Sequence, residues 1–339
     1  MISLRNILRV AKKAELVRSI SHADIMGKKK FPLQKVDNFQ KMAEELYDLQ
    51  KVKEDSYSPR TLTNPRQSHE TAAYGGLIFS QALAAAQKTV GKELPPHSVH
   101  SYFILNVNTR EDLTYDVRRL RDGRSFATRA VDAIQNGKIV FTLQASFHKE
   151  ETDYMSHKRP MPKVPNPEEL IGMRQAVPIV KDLVEREKIK LSEGMHRRLH
   201  RHDTAMRPTD LSIYYGLKKT KKPHLSYWMR TRGDLSDDID LHRCLIAYIT
   251  DAVPGSASVT PHNAGHFMSS MMFSLDHCVW FHKANGFRAD EWLLFEAVSN
   301  NAGGGRAFVD GRVYKQDGTL ILSLTQELLV RSRGEPSKL

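Results

Sequence analysis

Two long stretches of the chain share one pattern of apolar and polar positions. In each stretch a run that is apolar on nearly every face precedes several runs with the spacing of β-strands. The apolar runs cover residues 77–86, directly after Tyr74–Gly75–Gly76, and residues 238–251. A helix that is hydrophobic all round has to be buried all round. The pattern therefore predicts two helices, each enclosed by other elements.

Strand patterns follow both predicted helices, and one, at residues 225–231, precedes the second helix. They cover residues 97–104, 114–121, 125–134 and 138–148 in the first stretch, and residues 225–231, 271–282, 291–299, 306–314 and 319–330 in the second. The dipeptides Asp122–Gly123 and Asn136–Gly137 separate strands of the first stretch. Both favour tight hairpins, because their residues tolerate positive φ. We therefore predict antiparallel meanders.

The two stretches repeat each other. Gln135–Asn136–Gly137 and Gln316–Asp317–Gly318 precede the last strand of each stretch, and the turn at 121–126 takes the place of the turn at 301–306. A helix followed by a meander, present twice, predicts an α+β chain with a double hot-dog fold. In this fold two antiparallel sheets are each wrapped around a buried helix.

The same patterns divide the chain into five predicted parts. They are a basic N-terminal arm and charged helix (1–55), a first hot-dog half (56–150), a Pro-rich and charged linker (151–223), a second hot-dog half (224–332) and a tail (333–339). Within the first part, residues 35–55 have the composition of one charged helix.

Composition narrows the class of protein. The 339 residues include two cysteines, which excludes a disulfide scaffold or a cysteine-based zinc module. No apolar run approaches the ~18 residues of a membrane span, so an integral membrane protein is not expected. The net charge of +12 favours anionic partners. Its cations are scattered among acids and no nucleic-acid-binding signature is present, so nucleic acid is not an expected partner.

The two ends of the sequence carry two possible targeting signals. Ser337–Lys338–Leu339 matches the C-terminal signal read by the peroxisomal import receptor. We therefore expect the peroxisomal matrix as the location and that receptor as a partner. The first thirty residues are basic with interleaved apolar positions, as in mitochondrial transit peptides. Mitochondria are the second possibility.

Candidate chemistry is first narrowed by exclusion. The chain has no G-x-S-x-G nucleophile elbow, no P-loop and no H-E-x-x-H motif, and we expect neither a metal nor a cofactor. The repeat then shows where the two halves differ in polarity at positions predicted to be buried. A carboxylate at the end of an apolar helix is costly unless it is paired. The polar substitutions, which predict one cluster, are Asp251 for Gln87, Ser274 for His97 and Gln326 for Ala145.

Each of these three residues also has an ordinary structural interpretation. Asp251 at a helix end can bond a loop, Ser274 can fill space in a strand, and Gln326 can face solvent. Periodicity alone does not decide between a cluster and three unrelated residues.

Short motifs from about residue 60 to 331 resemble type II acyl-CoA thioesterases. In the first half they are Tyr74–Gly75–Gly76, Ser80–Gln81–Ala82–Leu83, residues 97–103, Leu120–Arg121–Asp122–Gly123, residues 125–129 and Gln144–Ala145–Ser146–Phe147. In the second half they are residues 247–251, Ser274–Leu275–Asp276–His277, Trp280–Phe281–His282, residues 287–292 and Gln326–Glu327.

The resemblance implies a double hot-dog fold, hydrolysis of fatty acyl-CoA to fatty acid and CoA, and a homo-oligomer. It also implies a catalytic trio of Asp251, Ser274 and Gln326, which hold a water with the Asp as general base. Gly75, Gly76 and His277 are the implied substrate-binding residues. Backbone N–H groups near the two glycines would stabilise the oxyanion.

Two departures from the family pattern keep an alternative open. Leu77 and Leu328 stand where the family often has Gln and Gly. A non-catalytic or weakly active acyl-CoA-binding protein is therefore the alternative function. A hot-dog hydratase is a further one, although no hydratase motif is visible.

Overall fold

The computed structural model describes residues 39–62, 71–186, 205–216, 218–252, 254–262 and 269–332. The predicted N-terminal arm up to residue 38 and the address Ser337–Lys338–Leu339 lie outside this part of the chain. The elements up to residue 148 are α1 (Phe39–Leu46), β1 (Leu49–Lys53), β2 (Ser56–Pro59), α2 (Gly75–Gln87), β3 (Pro96–Phe103), β4 (Thr114–Asp122), β5 (Phe126–Gln135) and β6 (Lys138–His148).

The elements after residue 148 repeat much of this order. They are a 3₁₀ turn (Pro167–Glu169), α3 (Met173–Arg186), β7 (Ala205–Pro208), α4 (Leu211–Tyr214), β8 (His224–Arg230), α5 (Ile239–Thr250), α6 (Ser256–Val259), a second 3₁₀ turn (Thr260–His262), β9 (Ser269–Ser274), β10 (Asp276–Phe281), β11 (Leu293–Gly303), β12 (Arg306–Lys315) and β13 (Leu320–Ser332).

Within the described ranges the thirteen strands form one antiparallel sheet. Its order is β1-β2-β4-β5-β6-β3-β10-β13-β12-β11-β8-β7, and β9 adds to β13. The halves join where β3 pairs with β10, with Val99 opposite Val279. In each half a pair of adjacent strands precedes a long helix, and further antiparallel strands follow it, β3–β6 after α2 and β9–β13 after α5. The internal repeat seen in the sequence thus reappears in the topology.

The helices α2 and α5 pack against each other in opposite directions. A Cβ atom built on Gly76, near the start of α2, would lie 2.5 Å from the carbonyl oxygen of Tyr248, near the end of α5. At the other end, Gln87 Oε1 of α2 lies 3.8 Å from Cys244 Sγ, near the start of α5. Residues 76–86 of α2 and 241–250 of α5 are all buried. The start of each helix therefore lies beside the end of the other.

Three predictions about elements need correction. Residues 35–55 do not form one helix, because α1 ends at Leu46 and β1 then pairs with β2 at the edge of the sheet. The predicted boundary at residue 56 falls inside this hairpin. The expected linker contributes the edge strand β7, which pairs with β8. The expected strand 271–282 is interrupted at Leu275, which separates β9 from β10.

Candidate active site

The structure brings Asp251, Ser274 and Gln326 into direct contact. Ser274 Oγ donates a hydrogen bond of 2.8 Å to Asp251 Oδ1. Gln326 Nε2 donates to the same Asp251 oxygen over 2.5 Å and to Ser274 Oγ over 2.7 Å. Asp251 and Ser274 are 23 positions apart in the chain, and Ser274 and Gln326 are 52 positions apart. The fold therefore assembles one closed polar cluster from three separate elements.

The interruption at Leu275 positions two of these side chains. Strand β10 pairs with β13 up to Thr325, and β9 pairs with β13 from Leu328 onward. Gln326 lies between the two pairings, opposite the point where the neighbouring chain bends. Irregularities of this kind re-aim side chains and are frequent beside active sites. Asp251 reaches the same point because it is the C-cap residue of α5.

The two oxygens of Asp251 have different surroundings. Oδ1 accepts both hydrogen bonds of the cluster. Within the described ranges, Oδ2 receives no hydrogen bond. A carboxylate at a helix C-terminus faces the negative end of the helix dipole, which is unfavourable. The donors Ser274 and Gln326 offset this cost and leave Oδ2 as the oxygen available to another molecule.

Gln326 has an unsatisfied acceptor. Its side chain is 0% exposed, and among the described residues its Oε1 has no hydrogen-bond partner. Leaving a buried polar atom unpaired costs about 1–3 kcal/mol. An ordered water molecule is the usual partner for such an atom.

Gly75 and Gly76 lie at the start of α2, where Gly75 faces this cluster and Gly76 faces the backbone of α5 at Tyr248. A Cβ atom on Gly75 would lie 3.0 Å from Asp251 Oδ2 and 2.9 Å from the ring of Phe103. Tyr74, the N-cap residue of α2, gives no side-chain hydrogen bond to the helix start. The first N–H groups of a helix have no partner within the helix. The close approach at Gly75 therefore places the positive end of α2 beside the carboxylate.

His277 does not occupy the position expected of a substrate-binding residue. Its side chain is 0% exposed, and its ring lies edge-on to Phe79 at 4.8 Å. Nε2 lies 2.9 Å from the hydroxyl of Thr250, which itself donates to Ala247 O. Burial lowers the pKa of His277, and the nearby Asp251 and Asp276 oppose this only in part. His277 supports the end of α5 from the interior.

Sequence reasoning missed Thr250 and Phe103. Thr250 is fully buried and directly precedes Asp251. Phe103 lines the approach to Gly75. The motif Thr250–Asp251 carried a usable signal, because a hydroxyl in an otherwise apolar helix needs a partner. No signal pointed to Phe103.

The described residues contain no group of three or more His, Cys, Asp or Glu side chains placed to hold a metal ion. None of the described helices is long and apolar enough to cross a membrane.

Comparison with known proteins decides the family. The sequence model of the acyl-CoA thioesterase N-terminal domain matches residues 63–148, and that of the C-terminal domain matches residues 175–330. The chain belongs to the acyl-CoA thioesterase family. Acyl-coenzyme A thioesterase 8 of Rattus norvegicus is 35% identical to this thioesterase over 295 residues, which are 86% of this chain and 89% of the rat protein.

Solved structures agree with this assignment. The crystal structure of an acyl-CoA thioesterase II from Mycobacterium marinum has a TM-score of 0.67 and 32% identity, and covers 87% of this chain and 99% of its own. A hot-dog protein from Alicyclobacillus acidocaldarius, 16% identical, has a TM-score of 0.67 over 87% of this chain and 99% of its own. The thioesterase thus has a hot-dog fold. The predicted type II family and the predicted class of enzyme, a thioester hydrolase, are confirmed.

Proposed function

We propose that this thioesterase hydrolyses fatty acyl-CoA to a free fatty acid and CoA, using a water molecule held by Asp251, Ser274 and Gln326. One observation carries the proposal. Ser274 and Gln326 fix one oxygen of the Asp251 carboxylate by hydrogen bonds, and the other oxygen faces Gly75 at the N-terminus of α2. The names of the relatives support acyl-CoA as the substrate class.

In the proposed reaction the water oxygen attacks the thioester carbonyl carbon, and Asp251 Oδ2 accepts the proton that the water loses. The tetrahedral intermediate then collapses, the C–S bond breaks, and the CoA thiolate leaves with the proton that Asp251 had accepted, which restores the carboxylate. Ser274 and Gln326 hold Asp251 in one orientation, so that the attack needs little reorganisation. The thiolate is a good leaving group, so no covalent intermediate on the enzyme is required.

We assign oxyanion stabilisation to the start of α2. Negative charge develops on the carbonyl oxygen during the attack, and preorganised N–H donors stabilise it. The backbone N–H groups of Gly75 and Gly76 belong to the first turn of α2, beside Asp251. A carbonyl between Asp251 and this turn would have the base on one side and the donors on the other.

We further propose that the fold is a fused pair of hot-dog domains that meet at β3 and β10. The sheet orders β1-β2-β4-β5-β6-β3 and β7-β8-β11-β12-β13-β10 match each other, with β9 as an addition to the second half, and this match supports the division. Each half then includes its preceding strand pair, β1–β2 or β7–β8, in place of the boundaries drawn at residues 56 and 224. Association into a homo-oligomer stays a prediction, and light scattering of the purified chain tests it.

The deciding experiment is thiol release from a series of acyl-CoA chain lengths. Asp251→Asn keeps the size of the side chain and removes the base, so we expect a loss of kcat of about 10²–10⁴-fold. Asp132→Asn is the matched control, because Asp132 pairs with Arg118 at the surface. A folded wild-type protein that binds acyl-CoA without releasing thiol would favour the non-catalytic alternative.

The peroxisome stays the predicted location, with Ser337–Lys338–Leu339 as the address. A fluorescent protein fused in front of the chain should enter peroxisomes and should lose this location when the three residues are removed. Mitochondrial fluorescence of a chain with a free N-terminus would instead favour the basic N-terminal segment.

A further inference from the structure

The antiparallel helix pair has a second end, opposite the candidate active site. There the end of α2 meets the start of α5 around a cavity of about 430 Å³, which we call the distal cavity. Its volume is within the range of small-molecule sites, about 300–1,000 Å³. The 13 residues of α2 separate it from Gly75 by roughly 20 Å. The distal cavity is therefore not part of the Asp251 cluster.

The interior and the rim of the distal cavity differ in chemistry. Its wall includes the apolar side chains of Ala84, Leu94, Phe147 and Leu241. The cations Lys88 and Lys92 also line it, and both are exposed. In the described part of the chain, neither lysine forms a salt bridge. The cavity thus combines an apolar surface with cations that are not committed to a protein carboxylate.

Acidic side chains in the same lining disfavour a polyanion such as the phosphate-rich part of CoA. They belong to Glu44, Asp238 and Asp240. Arg243 is committed, because it donates to Asp240 Oδ1 over 2.6 Å and to Ala284 O. The start of α5 is also occupied, because Asp238 Oδ1 accepts from the backbone N–H of Asp240 over 3.1 Å. A ligand with one negative charge fits this distribution better than one with several.

Among the described residues, the distal end of the helix pair does not repeat the Asp251 and Gln326 arrangement. Gln87, a neutral amide, stands at the helix end that corresponds to Asp251. Ala145, which corresponds to Gln326, is fully buried and has no polar side chain. A bound molecule would therefore stay chemically unchanged.

We propose that the distal cavity is a second, non-catalytic binding site for a fatty carboxylate. The carboxylate would pair with Lys88 and Lys92, and the chain would lie against Leu94, Phe147 and Leu241. Charge-assisted hydrogen bonds from two lysines select the head group, and burial of apolar surface retains the chain. This site goes beyond the proposed reaction and does not depend on it.

The test locates the ligand by crosslinking. Dodecanoate with a diazirine on its terminal carbon is irradiated with the full-length protein, and the modified peptides are identified by mass spectrometry. We expect modification within residues 84–96 or 241–244. The double variant Lys88→Glu/Lys92→Glu should weaken this modification by about tenfold or more, since each pairing becomes a repulsion. Lys138→Glu, at the exposed start of β6, makes the same charge change away from the cavity and should retain it.

A second variant fills the cavity without changing charge. Ala84→Leu should abolish the same modification because its side chain takes the volume of the ligand chain. Thiol release by both sets of variants should equal that of the wild type, so failure of this proposal is separable from failure of the proposed reaction. Modification confined to peptides with Gly75 or Ser274 would overturn the proposal, as would modification unaffected by Ala84→Leu. Displacement of the probe by CoA but not by unlabelled dodecanoate would also overturn it.

Discussion

Ser274 has both of its hydrogen-bonding capacities engaged in the cluster: its hydroxyl donates to Asp251 and accepts from Gln326. Ser274→Ala removes one of the two donors that hold Asp251 Oδ1. We expect kcat to fall by about 10–100-fold, since one positioning hydrogen bond to a charged group contributes about 1.5–3 kcal/mol. Ser274→Thr keeps the hydroxyl and should retain most activity. Equal losses in the two variants, measured by thiol release, would show that the hydroxyl is not the important group.

Gly75 gives a second prediction at the scale of one residue. In Gly75→Ala the new methyl group meets Asp251 Oδ2 and the Phe103 ring, both at the far ends of movable side chains. The fold can yield there, and alanine favours a helix by about 1 kcal/mol over glycine. We expect kcat to fall by at least about tenfold, because small displacements at a reacting centre are costly.

The control for Gly75→Ala is Gly303→Ala, where a Cβ would meet no atom within 4 Å. It should leave kcat unchanged. Thermal unfolding of both variants separates displacement of the carboxylate from general instability, and a Gly75→Ala protein with wild-type kcat would contradict the assigned role.

Comparison of the two halves singled out Asp251, Ser274 and Gln326 as candidates, because each differs in kind from its counterpart and Gln326 replaces the apolar Ala145. Their contact could not be predicted from periodicity, because it depends on how the fold brings α5, β9 and β13 together. The position of His277 could not be predicted either. The sequence Asp276–His277 is compatible with either a surface or an interior position. The ring of His277 is enclosed because β10 pairs with β3 on one side and with β13 on the other. The bend at Leu275 could not be predicted from the sequence either, because it depends on the pairing of both β9 and β10 with β13.

At the scale of elements, the two ends of α5 have different roles. Asp251, at the C-terminal end, belongs to the polar cluster, and Asp238 caps the N-terminal end. Asp238→Ala removes the side chain that accepts from Asp240 N at the helix start. Loss of such a cap costs about 0.5–2 kcal/mol of the free energy of unfolding. We expect urea unfolding to shift by this amount while thiol release by the folded enzyme is unchanged. Asp238→Asn, which keeps a capping oxygen, should be close to wild type.

Long strands and short strands differed in how well they could be predicted. The predicted strands 114–121 and 138–148 agree with β4 and β6 to within one residue, because each has a regular apolar pattern bounded by turn residues. The edge strands β1 and β7 have five and four residues. Four of the five residues of β1 are exposed. Such strands form because a neighbouring strand offers hydrogen-bonding groups, a cause that local sequence does not contain.

For the whole molecule, histidines at different depths predict how stability depends on pH. Full or partial removal from solvent lowers the folded-state pKa of a set of them below the ordinary value near 6.5. The unfolded chain then binds more protons as the pH falls through 6.5, so stability present at pH 7.5 is lost on acidification. The set comprises His97, His242, His262, His277 and His282.

Urea unfolding at pH 7.5, 6.5 and 5.5 checks this expectation. The free energy of unfolding should decrease at each step. His277→Gln should show a shallower dependence on pH, because it removes one of the protons taken up on unfolding. A free energy of unfolding that rises toward pH 5.5 would contradict the expectation.

The facing of Gly75 and Asp251 across the two halves has an evolutionary consequence. If the two halves were identical subunits of a dimer, both would be encoded by the same gene. A mutation near the carboxylate at one end of the helix pair would then also appear at the symmetry-related position at the other end. Here the two ends are encoded by separate stretches of one gene. Selection can therefore conserve one end for chemistry while the other drifts or acquires a different task.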